Sequence, residues 1–452
     1  MKITKILALV LAAVMVVCCF AACGGSTGGT GTTNAPAGSD APAGTDAPVG
    51  AATVWDDALI AALGEAIKAE ADGKEITLKV WGPEKAQDEF KAELDAFAEL
   101  FKDYATIKYE VAIQGEGDVA GMVINDPDAA ADVFSFPSDQ LNKLTNAKAI
   151  EAAYYPEQIK ADNTPASVAA ASVDGVVYGY PETGDNSYVI CYDKRLVSDE
   201  QVKTLEGILE ACKASGKKFI MDCGDGFIAC TFIFTGGLVL DGFEEDGMTQ
   251  KFNDYDINQV TAAVKAFSDA FVGAGKNFES NNSSQVVDGF KNGTTAAGVL
   301  GSWDAAAATA VLGENVGYAI LPTIKVNGTD TQMINMFGYK YLGVNNQTKY
   351  HTTAQTLAFY MTNEDNQVRR ASNLGWTPAN VNAQNNDAVK SAPHMSVFLA
   401  QSEYSVAQTA IAGTFWDPLA ALGKYITEAN NDRSTEAIQK EVEACLAGIR
   451  DE

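Results

Sequence analysis

The sequence predicts an α/β protein of two lobes, each a sheet covered by helices. Two observations carry this. Period-two apolar runs alternate with period-3.6 stripes from residue 76 onward, and the pattern restarts past residue 180. About 400 residues follow an N-terminal segment of different composition, more than one compact core organises. The composition is that of a globular chain, 47% apolar and 20% charged.

The elements follow in order. Residues 55–71 read as a helix whose packing partner has no sequence signal. Ile76, Leu78 and Val80 alternate with Thr77 and Lys79, a half-buried strand. Phe90, Leu94, Phe97 and Phe101 then form the stripe of an amphipathic helix. Ile107, Tyr109, Val111 and Ile113 alternate as a second strand, and 132–136 is a short apolar third, with Ser138 and Asp139 placed to cap the next helix. Past residue 180, Val189 and Cys191 lie in a strand, 204–215 is a helix, 219–222 a strand and 226–234 a buried helix. Residues 258–271 and 283–292 are helices, the second stopped by Gly293. Strands at 299–301 and 318–324 complete the second unit.

The N-terminal segment reads as an address and a tether. Lys2 and Lys5 precede an apolar run from Ile6 to Phe20, a secretory signal too short to cross ~30 Å of hydrocarbon alone. The Phe20-Ala21-Ala22-Cys23 sequence resembles the lipobox of bacterial lipoproteins. That resemblance implies a signal peptide over 1–22 and a lipid anchor on Cys23, holding the chain at the outer face of the cell membrane. Residues 23–54 are almost wholly Gly, Ala, Thr, Ser, Pro and Asp, a flexible linker with a reach of about 30 Å.

Charge and motifs exclude several classes. The net charge is −27, and loss of Lys2 and Lys5 with the signal takes it to −29. That balance argues against nucleic acid and against an anionic lipid surface as ligand. Cys191, Cys212, Cys223, Cys230 and Cys445 show no zinc or redox spacing, and one disulfide among them stays open. His351 and His394 read as surface residues with no metal-ligand pairing. No phosphate loop and no His-Glu-x-x-His is present. Asp254-Tyr255-Asp256 opens like a calcium loop but has Gln259 and Lys265 where glycine and glutamate belong. No cofactor and no metal are therefore expected.

Five motifs in order carry a family resemblance. They are Val80-Trp81-Gly82 before a helix, Asp174 to Pro181 with Tyr192-Asp193-Lys194, Phe290-Lys291-Asn292-Gly293, Gly301-Ser302-Trp303, and Tyr318 to Pro322. Together they resemble the maltose-binding protein family, the extracellular solute-binding components of ABC importers. The resemblance implies a periplasmic-binding-protein-like (type II) fold with hinge crossovers near 181–185, 322–328 and 376–380. Lobe one then takes 74–182 plus 331–378, and lobe two 186–324 plus 380–452. Two independent domains in series would leave the crossover motifs unexplained.

The same resemblance implies a ligand in the interlobe cleft, at strand ends and the loops that follow. Sugar-stacking aromatics of the family match Trp303 and Trp416 best, then Phe136 and Phe227. Trp81, Tyr339 and Trp376 fall at further strand ends or loops. Pyranose C–H faces lie flat on aromatic rings, and hydroxyl edges seek charged or amide partners. Glu84, Lys85, Asp139, Asp185, Asn186, Asp225 and Asp304 are the candidates. Arginine is absent from the proposed cleft loops, which disfavours anionic ligands. The expected protein is a monomer that binds a mono- or oligosaccharide and serves ABC transporter permease subunits. The alternatives are a non-sugar solute, a membrane sensor as partner, or a surface glycoside hydrolase needing only two spaced carboxylates.

Overall fold

The computed structural model describes residues 52–450. The expected signal peptide over 1–22, Cys23 and the tether through residue 51 lie outside the described residues. Among the described residues no helix is long and apolar enough to cross a membrane.

The helix Asp57–Ala71 starts at Asp56, whose carboxylate accepts the Leu59 N–H. Its partner is the helix His351–Met361. Trp55 lies 5.0 Å from the Phe359 ring and 5.4 Å from that of Tyr360. The Glu70 carboxylate accepts the N–H groups of Thr352 and Thr353, a negative charge at a helix N-terminus. This helix thus belongs to lobe one.

Lobe one is built on a sheet in which Ile76–Gly82 runs parallel to Ile107–Ile113 and to Val133–Pro137. Asn335–Val344 returns antiparallel to Val133–Pro137 and to Tyr180–Asn186. Phe90, Phe97, Phe134, Phe136, Tyr341 and Leu342 share its buried core. Lobe two has a five-stranded sheet in the order Phe278–Glu279, Lys218–Ile220, Thr295–Gly301, Tyr188–Asp193, Val316–Ala319. Tyr188–Asp193 is antiparallel to both its neighbours. The helix Gly226–Phe234 is apolar all round and lies inside this lobe.

The second and third crossings differ from expectation. The first is the wholly buried strand Tyr180–Asn186, which leads through Ser187 into Tyr188–Asp193. The second was expected at 322–328, where Asn327 and Gly328 carry positive φ of 51° and 83°. That turn closes a hairpin of Thr323–Val326 with Thr329–Gln332. Ile324, Val326, Met333 and Met336 all join the core of lobe two. The chain therefore crosses later, within Asn335–Val344, whose Tyr341, Leu342 and Val344 belong to lobe one. The expected strand at 318–324 is accordingly two strands broken at Pro322, which has no N–H to donate.

The third crossing is also displaced. Asn380 bridges Asn163, and the Val381 N–H donates to the Asp162 carbonyl, so the chain is still in lobe one past residue 380. It passes over between Val389 and Phe398, which joins a cluster with Val189 and Leu300 of lobe two. Lobe one's second segment is thus shifted C-terminal to the expected 331–378. All five described cysteines are free and buried. His394 is buried too, not at the surface: its Nε2 lies 2.8 Å from the Gly375 carbonyl, and burial lowers its pKa.

Candidate functional site

A cavity of about 570 Å³ opens between the lobes. Lobe one contributes Pro83 to Lys85, Gly115 to Gly117, Pro137, Asp139, Gln140, Lys340 and Trp376. Lobe two contributes Asp225, Phe227, Trp303 and Trp416, while Asn186 and Gln408 come from the connecting segments. The size and the mixture of aromatic and polar side chains are those of a small-molecule site.

Lobe two's rings stand at three helix starts. Asp225 accepts the Phe227 N–H and so begins Gly226–Phe234. Trp303 opens Ser302–Leu312, directly after the strand Thr295–Gly301. Trp416 begins Trp416–Thr427. Gly226 permits the convergence: a Cβ there would fall 2.3 Å from the Trp416 carbonyl oxygen. The Phe227 centroid lies 6.3 Å from Trp303 and 6.2 Å from Trp416, a continuous aromatic wall.

Polar groups tie this wall to lobe one. The Trp303 indole N–H donates to Ser283 Oγ at 3.1 Å, and Ser283 donates to Asp304. Lys85, from lobe one, donates to the other Asp304 oxygen and to the Trp303 carbonyl at 3.2 Å. On the floor, Asn186 donates to Gln408 Oε1 at 2.6 Å, and Gln408 donates to Asp139 at 2.9 Å. Burial pushes the Asp139 carboxyl up to about 7, against its backbone hydrogen bond and Lys143.

Lys340 enters from the side, its Nζ 2.6 Å from Glu116 Oε2. It stands 5.7 Å from the ring centroids of both Trp303 and Trp376. Beneath it, the Ser135 hydroxyl lies 2.9 Å from Glu116 Oε1 and 2.5 Å from Glu182 Oε2. Burial raises Glu182, although Arg370 pulls it down.

Of the residues read from the sequence, the cavity brings together Glu84, Lys85, Asp139, Asn186, Asp225, Phe227, Trp303, Trp376 and Trp416. Asp304 does not line it; its carboxylate is spent on Lys85 and Ser283. Asp185 is buried in the hinge, where it accepts the Thr377 N–H at 2.8 Å. Phe136 is a core residue, 5.6 Å from the Tyr341 ring. Trp81 packs against the same core. Tyr339 lines a second cavity on the other face of its strand. Asp139 caps no helix, for its side chain meets Gln408 instead.

Sequence reasoning missed Glu116, Gln140, Lys340 and Gln408. The signal for Lys340 was one residue away. Neighbours on a strand face opposite sides, so placing Tyr339 in the cleft excluded the residue that is there.

Residues 92–397 match the family model described as bacterial extracellular solute-binding protein. The galactooligosaccharide-binding protein of Bacillus subtilis (strain 168) is 24% identical over 412 residues, covering 86% of this chain and 95% of that protein. A solved structure with acarbose is 29% identical, with a TM-score of 0.75 over 83% of this chain and 99% of the other. The unliganded maltodextrin-binding protein from L. casei BL23 is 22% identical, with a TM-score of 0.69, covering 83% and 99% of the two chains.

Proposed function

We propose that this chain, which belongs to the bacterial extracellular solute-binding protein family, captures a neutral oligosaccharide in its interlobe cleft and delivers it to an ABC transporter permease. The observation that carries this reading is one cavity walled by Phe227, Trp303 and Trp416 from one lobe and Trp376 from the other. Flat sugar faces stack on such rings, and Glu84, Asp139, Asn186 and Asp225 offer acceptors or amides to hydroxyl edges. The similarity to proteins named for galactooligosaccharide and maltodextrin, and to a structure with acarbose, supports an oligosaccharide over a single sugar.

A ligand touching both lobes favours the closed arrangement, since only differential affinity shifts such an equilibrium. Capture needs no bond made or broken. The lipobox-like Ala21-Ala22-Cys23 supports anchoring through Cys23, with the linker holding the lobes near the permease. Thermal-shift and calorimetric screening against mono- and oligosaccharides, amino acids and peptides tests the reading. An oligosaccharide is expected to raise the melting midpoint. Stabilisation by amino acids or peptides with none by any carbohydrate overturns it.

A further inference from the structure

We propose that Lys340 is the specificity-determining residue of the cleft, a resident cation that keeps an acid-lined slot open to neutral sugars and closed to ammonium-bearing ones. The inference rests on the sugar-binding reading and deepens it.

The cavity is lined by the carboxyl groups of Glu84, Glu116, Asp139 and Asp225 and by only two cations. Lys85 is committed elsewhere, to Asp304 and the Trp303 carbonyl. Lys340 is different. Its ammonium is buried, has three N–H donors, and makes a single hydrogen bond, to Glu116. Two donors are left to meet a ligand oxygen. Equidistant from the indoles of Trp303 and Trp376, it stands between a ring of lobe two and a ring of lobe one.

The support beneath it is ordered. One hydroxyl proton on Ser135 cannot serve both Glu116 and Glu182. A protonated Glu182 resolves this, donating to Ser135 while Ser135 donates to Glu116. Glu116 then accepts from both Ser135 and Lys340 and holds the ammonium in place. The direction in which burial moves Glu182 agrees. A sugar hydroxyl or ring oxygen accepts from Lys340 without charge conflict, whereas an ammonium brought to the same slot meets a like charge at low dielectric. Without Lys340, the surrounding carboxylates make that slot a place for a cation.

Calorimetry decides the matter with galactotriose and maltotriose, each compared with the same trisaccharide bearing a 2-ammonium group on every ring. Lys340→Met is expected to raise the affinity for the ammonium sugar relative to the neutral one by about tenfold or more over wild type. Lys340→Arg, which keeps the charge, is expected to hold the wild-type ratio. The double variant K340M/E116Q avoids a buried unpaired carboxylate and stands in if K340M does not fold. An unchanged ratio in the charge-free variant, or the same change in Lys340→Arg, overturns the assignment while leaving sugar binding intact. Wild-type protein that binds neither neutral trisaccharide nor any other carbohydrate removes the sugar-binding reading and this inference together.

Discussion

Gly301 offers a way to move Trp303 without touching the cavity otherwise. Its backbone has φ −71° and ψ 153°, which any residue adopts, so Gly301→Ala introduces no backbone strain. The obstacle is the indole. An alanine Cβ would lie 2.2 Å from Trp303 Cζ2, 2.3 Å from Cε2 and 2.5 Å from Cη2. Carbon atoms settle near 3.5–4.0 Å, so the ring must retreat by about 1 Å or more. It is not free to do so, because its N–H is held by Ser283 at 3.1 Å. Overpacking of this kind costs about 1–3 kcal/mol. If the ring is the ligand's platform, the misplacement falls on binding, and about 1.4 kcal/mol per tenfold converts it to a Kd weakened roughly tenfold to a hundredfold. Calorimetry with the tightest oligosaccharide, beside thermal melts of ligand-free protein, separates the two effects. Affinity within about threefold of wild type, with all the loss appearing in stability, would falsify the platform role and make Trp303 a packing residue.

Two further outcomes follow from buried charge. Arg370 donates to both Glu93 oxygens at 2.8 and 2.7 Å and to the Met361 carbonyl, with both side chains almost wholly buried. Arg370→Met is expected to cost about 3–5 kcal/mol in denaturant unfolding, with part recovered in E93Q/R370M; no recovery refutes the unpaired-carboxylate cause. Burial pushes Asp139 up to about 7 and Asp185 up to about 6. For carboxyls raised above their unfolded value of about 3.9, the stabilising contribution is full below that value and lost as pH rises through 6 to 7. The ligand-free melting midpoint should therefore fall over that range, less so in Asp139→Asn, and an equal slope in the variant contradicts the assignment.

Helix stripes and helix starts were legible because their signals are local. Phe90, Leu94 and Phe97 face one core as their spacing requires. Phe227, Trp303 and Trp416 reach the cleft at positions where a helix begins after a Gly, Asp or Thr-Phe signal. Residues on central strands were not legible in the same way. Val133–Pro137 and nearly all of Asn335–Val344 are buried on both faces, so no polar alternation marks which side meets the cleft. A one-residue error then exchanges Phe136 for Pro137 and Tyr339 for Lys340.

The expected second crossing failed for a related reason. Asn327-Gly328 is a strong turn signal, and a hairpin turn and a hinge look alike in one dimension. The real second crossing lies inside a continuous strand, where nothing in composition changes. The cleft floor shows the same limit. Gln408 joins Asp139 and Asn186 across 269 and 222 positions of sequence, and only the meeting of three segments makes it a site residue. Its amide donates to one lobe's carboxylate and accepts from the connecting strand, so it ties the cleft floor to the strand that joins the lobes. A residue chosen by where chain segments meet carries no local pattern, which is why the aromatic wall, Asp139 and Asn186 were foreseeable and Gln408, which joins the last two, was not.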